Sequence, residues 1–256
     1  MILATWNVNS LKARLEHLLR WLAEAKPDAV CLQETKCVDA QFPATVLAEA
    51  GYPHLAYAGQ PSYNGVAIVS RLPLTEVHAG FRLGEPDPQP RLIRATVGDV
   101  RVFGCYVPNG QALDSPKFPY KLEWLRRLRA ELDADGDPGR PVLVCGDFNV
   151  ALHDEDVWDP FETEGQVLFT QVERDAVADV LGYGLTDLFR KLKPTAREYT
   201  WWDYRMLGFQ KNRGMRIDHV FGSTALAART AEVVIHRPVR KWPQPSDHVP
   251  VTIRVT

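Results

Sequence analysis

A four-layer α/β fold is what the sequence predicts: an αββα sandwich of two packed mixed β-sheets with helices outside. Three observations lead there. Short β-branched apolar runs recur along the chain, amphipathic helical repeats fall between them, and both kinds of element occur in both halves. About ten strands would be many for one open sheet, so two sheets face to face are expected, with helices covering their outer faces. No interdomain linker, short-period repeat or low-complexity tract interrupts the 256 residues, so a single domain over 1–256 is expected.

The elements follow in order. Ile2 to Val8 is a first strand, and Ser10 caps a helix whose Leu11, Leu15, Leu18, Leu19 and Leu22 recur at helical spacing until Lys26-Pro27-Asp28 ends it. Ala29 to Gln33 is a short apolar strand that delivers Glu34 at its carboxyl end. Gln41 to Ala50 reads as helical, and Gly51 turns the chain. Gly65 to Ser70, Leu92 to Val97 and Val100 to Val107 are β-rich, with Gly98-Asp99 a two-residue hairpin turn. Glu85 to Pro90, with its prolines, is a surface loop. Lys117 to Leu132 is a second amphipathic helix, Pro141 to Cys145 a buried strand leading to Asp147, and Phe169 to Leu181 a third helix. Strands from Arg216 to Phe221, Ala231 to His236 and Val249 to Val255 complete the chain.

Composition sets mild limits. A chain that is 45% hydrophobic and 24% charged is an ordinary globular sequence with apolar residues enough for a large core. The formal net charge of −2 argues weakly against a nucleic-acid partner, whose usual mark is a basic stripe, but a cluster of acids around a metal would itself lower the total. Cys31, Cys105 and Cys145 sit in strand-like runs and Cys37 follows a polar cluster; without a C-x-x-C pair they read as buried free thiols in a reducing compartment. No leader pattern opens the chain and no run approaches a membrane span, so a cytoplasmic protein without membrane contact is expected.

Four polar clusters at the ends of apolar runs carry the chemistry: Trp6-Asn7-Val8-Asn9, Leu32-Gln33-Glu34-Thr35, Gly146-Asp147-Phe148-Asn149 and Ser246-Asp247-His248. Carboxylates, amides and an imidazole of this kind suit a hard divalent cation working on a phosphate ester. Asn7 and Asn9, and again Asp147 and Asn149, share a face if their strands persist, although either pair is also what a local turn at a strand end would use. Glu34 is the leading metal ligand, since Mg²⁺ takes one or two carboxylates plus water and substrate oxygens. A carboxylate on one nitrogen of His248 would favour its charged form. Asp247 and Asp218 are the candidates, with a surface pair to Arg216 as the plain alternative for Asp218. Tyr199 to Tyr204 and Lys211 to Arg216 interleave aromatics with cations, which suits stacking on bases and holding phosphates, although core packing of at least one Trp is expected.

In order along nearly the whole chain stand Trp6-Asn7-Val8-Asn9-Ser10, Leu32-Gln33-Glu34-Thr35-Lys36, Tyr106-Val107-Pro108-Asn109-Gly110, Gly146-Asp147-Phe148-Asn149-Val150, Trp202-Asp203-Tyr204-Arg205, Asn212-Arg213-Gly214-Met215-Arg216-Ile217-Asp218 and Ser246-Asp247-His248. On these the sequence resembles the exonuclease III family of apurinic/apyrimidinic (AP) endonucleases, within the endonuclease/exonuclease/phosphatase superfamily. The resemblance implies the αββα sandwich, Mg²⁺ or Mn²⁺, and a monomer that hydrolyses phosphodiesters of double-stranded DNA 5′ to abasic sites or at 3′ ends. It implies that Glu34 holds the metal, aided by Asn7 and Asp247. It also implies that Asp147 orients or deprotonates the attacking water, that Asn149 holds that water or a phosphate oxygen, and that His248, partnered by Asp218, binds phosphate near Tyr106. DNA contacts are implied for Asn9, Lys36, Asn109, Trp201, Trp202, Arg205, Lys211, Asn212, Arg213, Met215 and Arg216. Met215 stands where some relatives have Trp, and Arg205 where some have an apolar wedge, which favours the bacterial exonuclease III side.

Lipid and inositol phosphatases, sphingomyelinases and RNA deadenylases of the same superfamily share the catalytic clusters, so only the segment Tyr199 to Arg216 favours DNA over those substrates. A catalytically dead binding module is disfavoured, because every acid, amide and imidazole of the set is present.

Overall fold

A computed structural model describes residues 1–256 and contains twelve strands and seven α-helices. The first sheet joins β1 (Ile2–Asn7), β2 (Ala29–Gln33), β3 (His54–Ala58), β4 (Val66–Ser70), β11 (Thr230–Ile235) and β12 (Val251–Val255) in the order β11-β12-β1-β2-β4-β3. The second joins β5 (Leu74–Ala79), β6 (Leu92–Val97), β7 (Val100–Tyr106), β8 (Val142–Asp147), β9 (Leu185–Asp187) and β10 (Asp218–Ser223) in the order β5-β6-β7-β8-β10-β9. One parallel pair sits at the middle of each sheet, β1 with β2 and β7 with β8, and every other pairing is antiparallel. The apolar face of each sheet meets the other in one cluster containing Leu3, Cys31, Ile68, Val102, Cys145 and Val220, while Trp124, Leu128 and Val177 on helices cover the outer face of the second sheet. No helix is long and apolar enough to cross a membrane.

The long helices form where periodicity predicts them. Helix α1 spans Leu11–Ala25, with the Ser10 hydroxyl accepting from the Ala13 N–H and Lys26 ending it in the left-handed conformation. Helix α2 is Ala44–Glu49, later and shorter than predicted because Phe42 and Pro43 are extended or irregular. Helix α3 is Lys117–Asp135 and α5 is Gln171–Leu181, whose start is fixed by a Thr170/Glu173 capping box rather than at Phe169. The short helices α4 (Pro160–Thr163), α6 (Leu188–Leu192) and α7 (Thr224–Arg229) are too brief to leave a periodic signature. Strands β3, β5 and β9 also differ from the sequence prediction, and all three lie at sheet edges. β5 carries a register shift between Thr75 and His78, and β9 is three residues long, so neither alternates cleanly.

β10 begins at Asp218 and not at Arg216, because Arg216 belongs to a buried ionic cluster. Its guanidinium bonds Asp156 Oδ1 (2.7 Å) and Oδ2 (2.9 Å) and Asp187 Oδ2 (2.7 Å), and Arg190 also pairs with Asp156. Arg216 Nη1 donates to His219 Nδ1 (3.0 Å), which leaves the ring's proton on Nε2 to donate to the Val150 carbonyl (2.7 Å). Burial and the neighbouring guanidinium hold His219 neutral, its pKa lowered to about 4. The unfolded chain takes up a proton on this imidazole below its ordinary 6.5 and the folded chain does not, so stability is lost as pH falls from 6.5 to about 4. Urea titrations across that window should show the wild type losing up to about 3 kcal/mol more than His219→Gln, whose amide can still donate to Val150. Parallel pH profiles for the two proteins would refute a neutral buried His219.

Candidate active site

Six side chains converge because of strand direction. The two central parallel pairs run the same way within each sheet and end in Asn7 and Glu34 on one, Tyr106 and Asp147 on the other. Antiparallel neighbours supply the rest from their beginnings. β10 starts at Asp218, in register with Asp147, and His248 lies just ahead of β12 beside β1.

Each strand turns sharply at its polar cluster. Asn9, Glu34 and Asn149 have φ of 45°, 53° and 51°, a region in which non-glycine residues are uncommon. The Asn9 N–H donates to Asn7 Oδ1 (3.0 Å) and the Asn149 N–H to Asp147 Oδ1 (2.9 Å). The strands therefore stop at Asn7 and Asp147, and the local turn and the clustering of polar groups are one arrangement rather than alternatives. Gly146, at φ 143°, permits it: a Cβ there would lie 1.9 Å from the Cys105 carbonyl oxygen on β7.

Asn7, fully buried, donates through Nδ2 to Glu34 Oε1 and Asp147 Oδ2, both at 2.8 Å, and so ties a carboxylate of one sheet to a carboxylate of the other. His248 Nδ1 donates to Asp218 Oδ2 at 2.8 Å, and Nε2 stands 3.7 Å from Asp147 Oδ2. Burial opposes charge on this imidazole, but the Asp218 and Asp147 carboxylates prevail and raise it to about 10, so it is an imidazolium at neutral pH. Burial pushes Asp147 up to about 7 against the pull of that imidazolium. Burial and the Glu34 and Asp147 charges keep the Tyr106 hydroxyl protonated. Arg216 does not pair with Asp218, whose free Oδ1 is buried without a donor.

Ligand-type atoms of Glu34, Asp147 and His248 lie within 4.8 Å of one another, but an imidazolium has no free lone pair, so the two carboxylates are the groups that could hold a metal ion. In their ionised forms Glu34, Asp147, Asp218 and Asp247 face one imidazolium and the Lys36 ammonium, which lies 2.7 Å from Glu34 Oε2. That leaves the group two charges short of neutral and rich in oxygen acceptors, which fits a hard divalent cation. Asp247 is not in the three-residue cluster; Asn9 Nδ2 (2.8 Å) and Trp201 Nε1 (3.0 Å) hold its two oxygens. The Asn7 oxygen is likewise engaged by the Asn9 backbone.

Matching of family models assigns residues 4–248 to the endonuclease/exonuclease/phosphatase family. The exodeoxyribonuclease III of Haemophilus influenzae is 35% identical, over 96% of this chain and 97% of its own. The chain belongs to the exonuclease III group of that family. Among solved structures, a Neisseria 3′ phosphatase bound to a product DNA hairpin superposes with a TM-score of 0.97 at 42% identity, covering 100% of this chain and 99% of its own. An AP endonuclease of Archaeoglobus fulgidus superposes at 0.95 with 36% identity, over 100% and 99% respectively.

Around the centre of this exonuclease III relative lie two clefts. One, of about 670 Å³, is lined by Glu34, Tyr63, Asn64, Arg91, Tyr106 and Lys117 among others. Arg91 stacks over the Tyr106 ring at 4.5 Å, a placement with no sequence signal beyond an Arg just ahead of β6. The other cleft, about 780 Å³, is lined by Trp158, Trp201, Arg205, Arg213 and Met215 among others. Lys211, Asn212, Arg213 and Arg205 are exposed, Trp201 is half-buried, and Asn9 and Lys36 bond each other at 2.6 Å.

Two expected DNA contacts are corrected. Trp202 is completely buried against Tyr199 and Phe209, and Arg216 is locked in the ionic cluster, so neither offers a surface to a ligand. Cation-rich spacing cannot separate Arg213, which rides on the Trp158 ring at 4.5 Å, from Arg216 three residues on.

Lys121, fully buried on α3, was another residue without a sequence signal. Its ammonium donates to the carbonyls of Asn109 (3.2 Å) and Asn149 (2.6 Å) and pairs with Glu173, joining the two loops whose Asn109 and Asn149 amides also bond at 2.9 Å. Lys121→Met strands a buried carboxylate and should cost about 3–5 kcal/mol in chemical denaturation, while the double change Lys121→Met/Glu173→Met, which also removes the capping box of α5, should cost less than the sum of the two single changes. Additive losses would show that the pair is not coupled.

Proposed function

We propose that this protein is a Mg²⁺- or Mn²⁺-dependent DNA repair nuclease that hydrolyses the phosphodiester 5′ to an abasic site and also processes 3′ ends. It acts as a single-domain monomer on double-stranded DNA. The observation that carries the reading is the Asn7 bridge between Glu34 and Asp147 beside the Asp218–His248 pair, in a chain similar over its whole length to an exodeoxyribonuclease III, a 3′ phosphatase and an AP endonuclease.

The roles follow from charge and position. Glu34 would hold the divalent cation, which supplies Lewis-acid charge at the phosphate when bound. Asn7 fixes the Glu34 and Asp147 carboxylates relative to each other. Asp147 orients the attacking water and accepts its proton, with the Asn149 amide beside it. The His248 imidazolium, kept charged by Asp218, binds a non-bridging phosphoryl oxygen, where negative charge is held through the transition state. Water adds to phosphorus as the P–O3′ bond breaks and the departing O3′ takes a proton from solvent, leaving a 3′-hydroxyl on one strand segment and a 5′-phosphate on the other. Tyr106, protonated, is a donor at the same phosphate. Asn9, Lys36, Asn109, Arg91 and the exposed cations Arg205, Lys211 and Arg213 place the DNA backbone, and the Trp201–Met215 floor takes the gap in the stack. These contacts favour DNA over a phospholipid headgroup, which offers neither a continuous backbone nor bases.

Three duplexes test the reading: one with a single abasic-site analogue, one with a recessed 3′ end and one with a 3′-phosphate, each in Mg²⁺ and in chelator. Metal-dependent incision 5′ to the analogue is expected, with product from the other two measuring the balance of 3′ activities; folded protein inert on all three would sink the proposal. Asp147→Asn should lower kcat by about 10²–10⁴-fold while leaving DNA affinity in place. Glu34→Ala should shift the metal titration to higher concentration, and an unchanged titration would remove Glu34 from the metal.

A further inference from the structure

Phe161 is 98% exposed, more than any other large apolar side chain of the molecule. Its backbone is nevertheless fixed. Asp159 Oδ1 accepts from the N–H groups of Phe161 (2.9 Å) and Glu162 (3.2 Å), Pro160 opens α4, and the Thr163 hydroxyl donates to the Asp159 carbonyl (2.6 Å). A ring projected from a capped turn loses little freedom when something covers it.

Position says what covers it. Its neighbours Glu162 and Thr163 line the same cleft as Trp158, Trp201 and Met215. Isolated β-bridges stitch that floor to the catalytic centre, Val157 to Met215, Met215 to Trp201, and Trp201 to His248. The Asp203–Gly208 loop also lines this cleft, and in it Met206 is 76% exposed and held at a left-handed φ of 57°. Apolar tips thus stand beside a cleft whose lining carries the guanidiniums of Arg205 and Arg213.

We infer that Phe161 is a specificity-determining residue of the nuclease, stacking on the face of the base that an abasic gap or a 3′ end leaves uncovered. The inference rests on the DNA nuclease reading and adds to it a source of selectivity. Inside intact duplex every base face is covered by its neighbour, and the ring has nothing to stack on without unstacking a step. Where a base is missing or the strand ends, one face is already bare, and aromatic stacking there stabilises the complex without reading sequence. Phosphates on Arg205 and Arg213 bind broken and intact DNA alike, so the ring adds its discrimination to that of the Trp201–Met215 floor.

The test compares wild type, Phe161→Ala and Phe161→Trp on a duplex with one abasic-site analogue flanked by 2-aminopurine and on the same duplex without the lesion. Incision by the wild type fixes the nuclease reading independently of the variants. Phe161→Ala should weaken affinity for the lesion duplex by about tenfold, leave affinity for the intact duplex unchanged, raise KM with kcat retained, and abolish quenching of the 2-aminopurine. Phe161→Trp should restore affinity and quenching. Equal loss on both duplexes, or no loss on either, overturns the assignment. So does a wild-type dimer in sedimentation that Phe161→Ala dissociates, because the ring would then belong to a contact between copies of the chain.

Discussion

The Asn7 side chain holds the arrangement together. Two β-sheets pack through apolar faces, which fixes their separation but not the relation of one carboxylate to another at their common rim. A buried amide with two donors fixes it: Glu34 of the first sheet and Asp147 of the second accept from one nitrogen, each at 2.8 Å. Carboxylates this close repel, and the hydrogen bonds, the His248 imidazolium and the Lys36 ammonium keep both near a single point.

The topology explains why the polar residues collect there. Each sheet has one parallel pair at its middle, so two carboxyl ends emerge side by side from each, and antiparallel partners add Asp218 and His248 from their starts. Behind this rim stands a second tier of buried charge. Arg216 with Asp156, Asp187 and His219 fixes Val150, and Lys121 with Glu173 fixes Asn109 and Asn149. The loop bent into a left-handed conformation at Asn149 is held from both sides by these anchors.

Much of this was legible in the sequence, for identifiable reasons. Central strands and long helices bury one face continuously, so their patterns are strong; β3, β5 and β9 are edge, bulged or very short and carry weak patterns. The polar clusters were readable because each interrupts an apolar run, which a strand tolerates only at its end. Their partners were less so. That His248 takes Asp218 while Asp247 takes Asn9 and Trp201 depends on how adjacent residues face in a bent segment. Trp201 and Trp202, or Arg213 and Arg216, differ in burial through neighbours on other segments, Phe209 beyond the Asp203–Gly208 loop for Trp202 and Asp156 for Arg216. Lys121 and His219 gave no signal, because a helix lysine and a strand histidine look alike whether buried or exposed.

The order in which the chain builds its sheets has a consequence for when activity can exist. Residues from β5 to β10 complete the second sheet from one continuous stretch, whereas the first sheet needs β12 inserted between β11 and β1. His248 rides on the approach to that last strand. During synthesis on the ribosome, Glu34, Asp147 and Asp218 are all made while β1 still has an open edge, and the imidazolium arrives only with the strand that closes it. A chain interrupted before Val251 keeps His248 but has no β12 to seat it beside β1, and the edge of that central strand stays unpaired. Closing the first sheet and seating His248 against Asp218 of the second are thus a single step of folding.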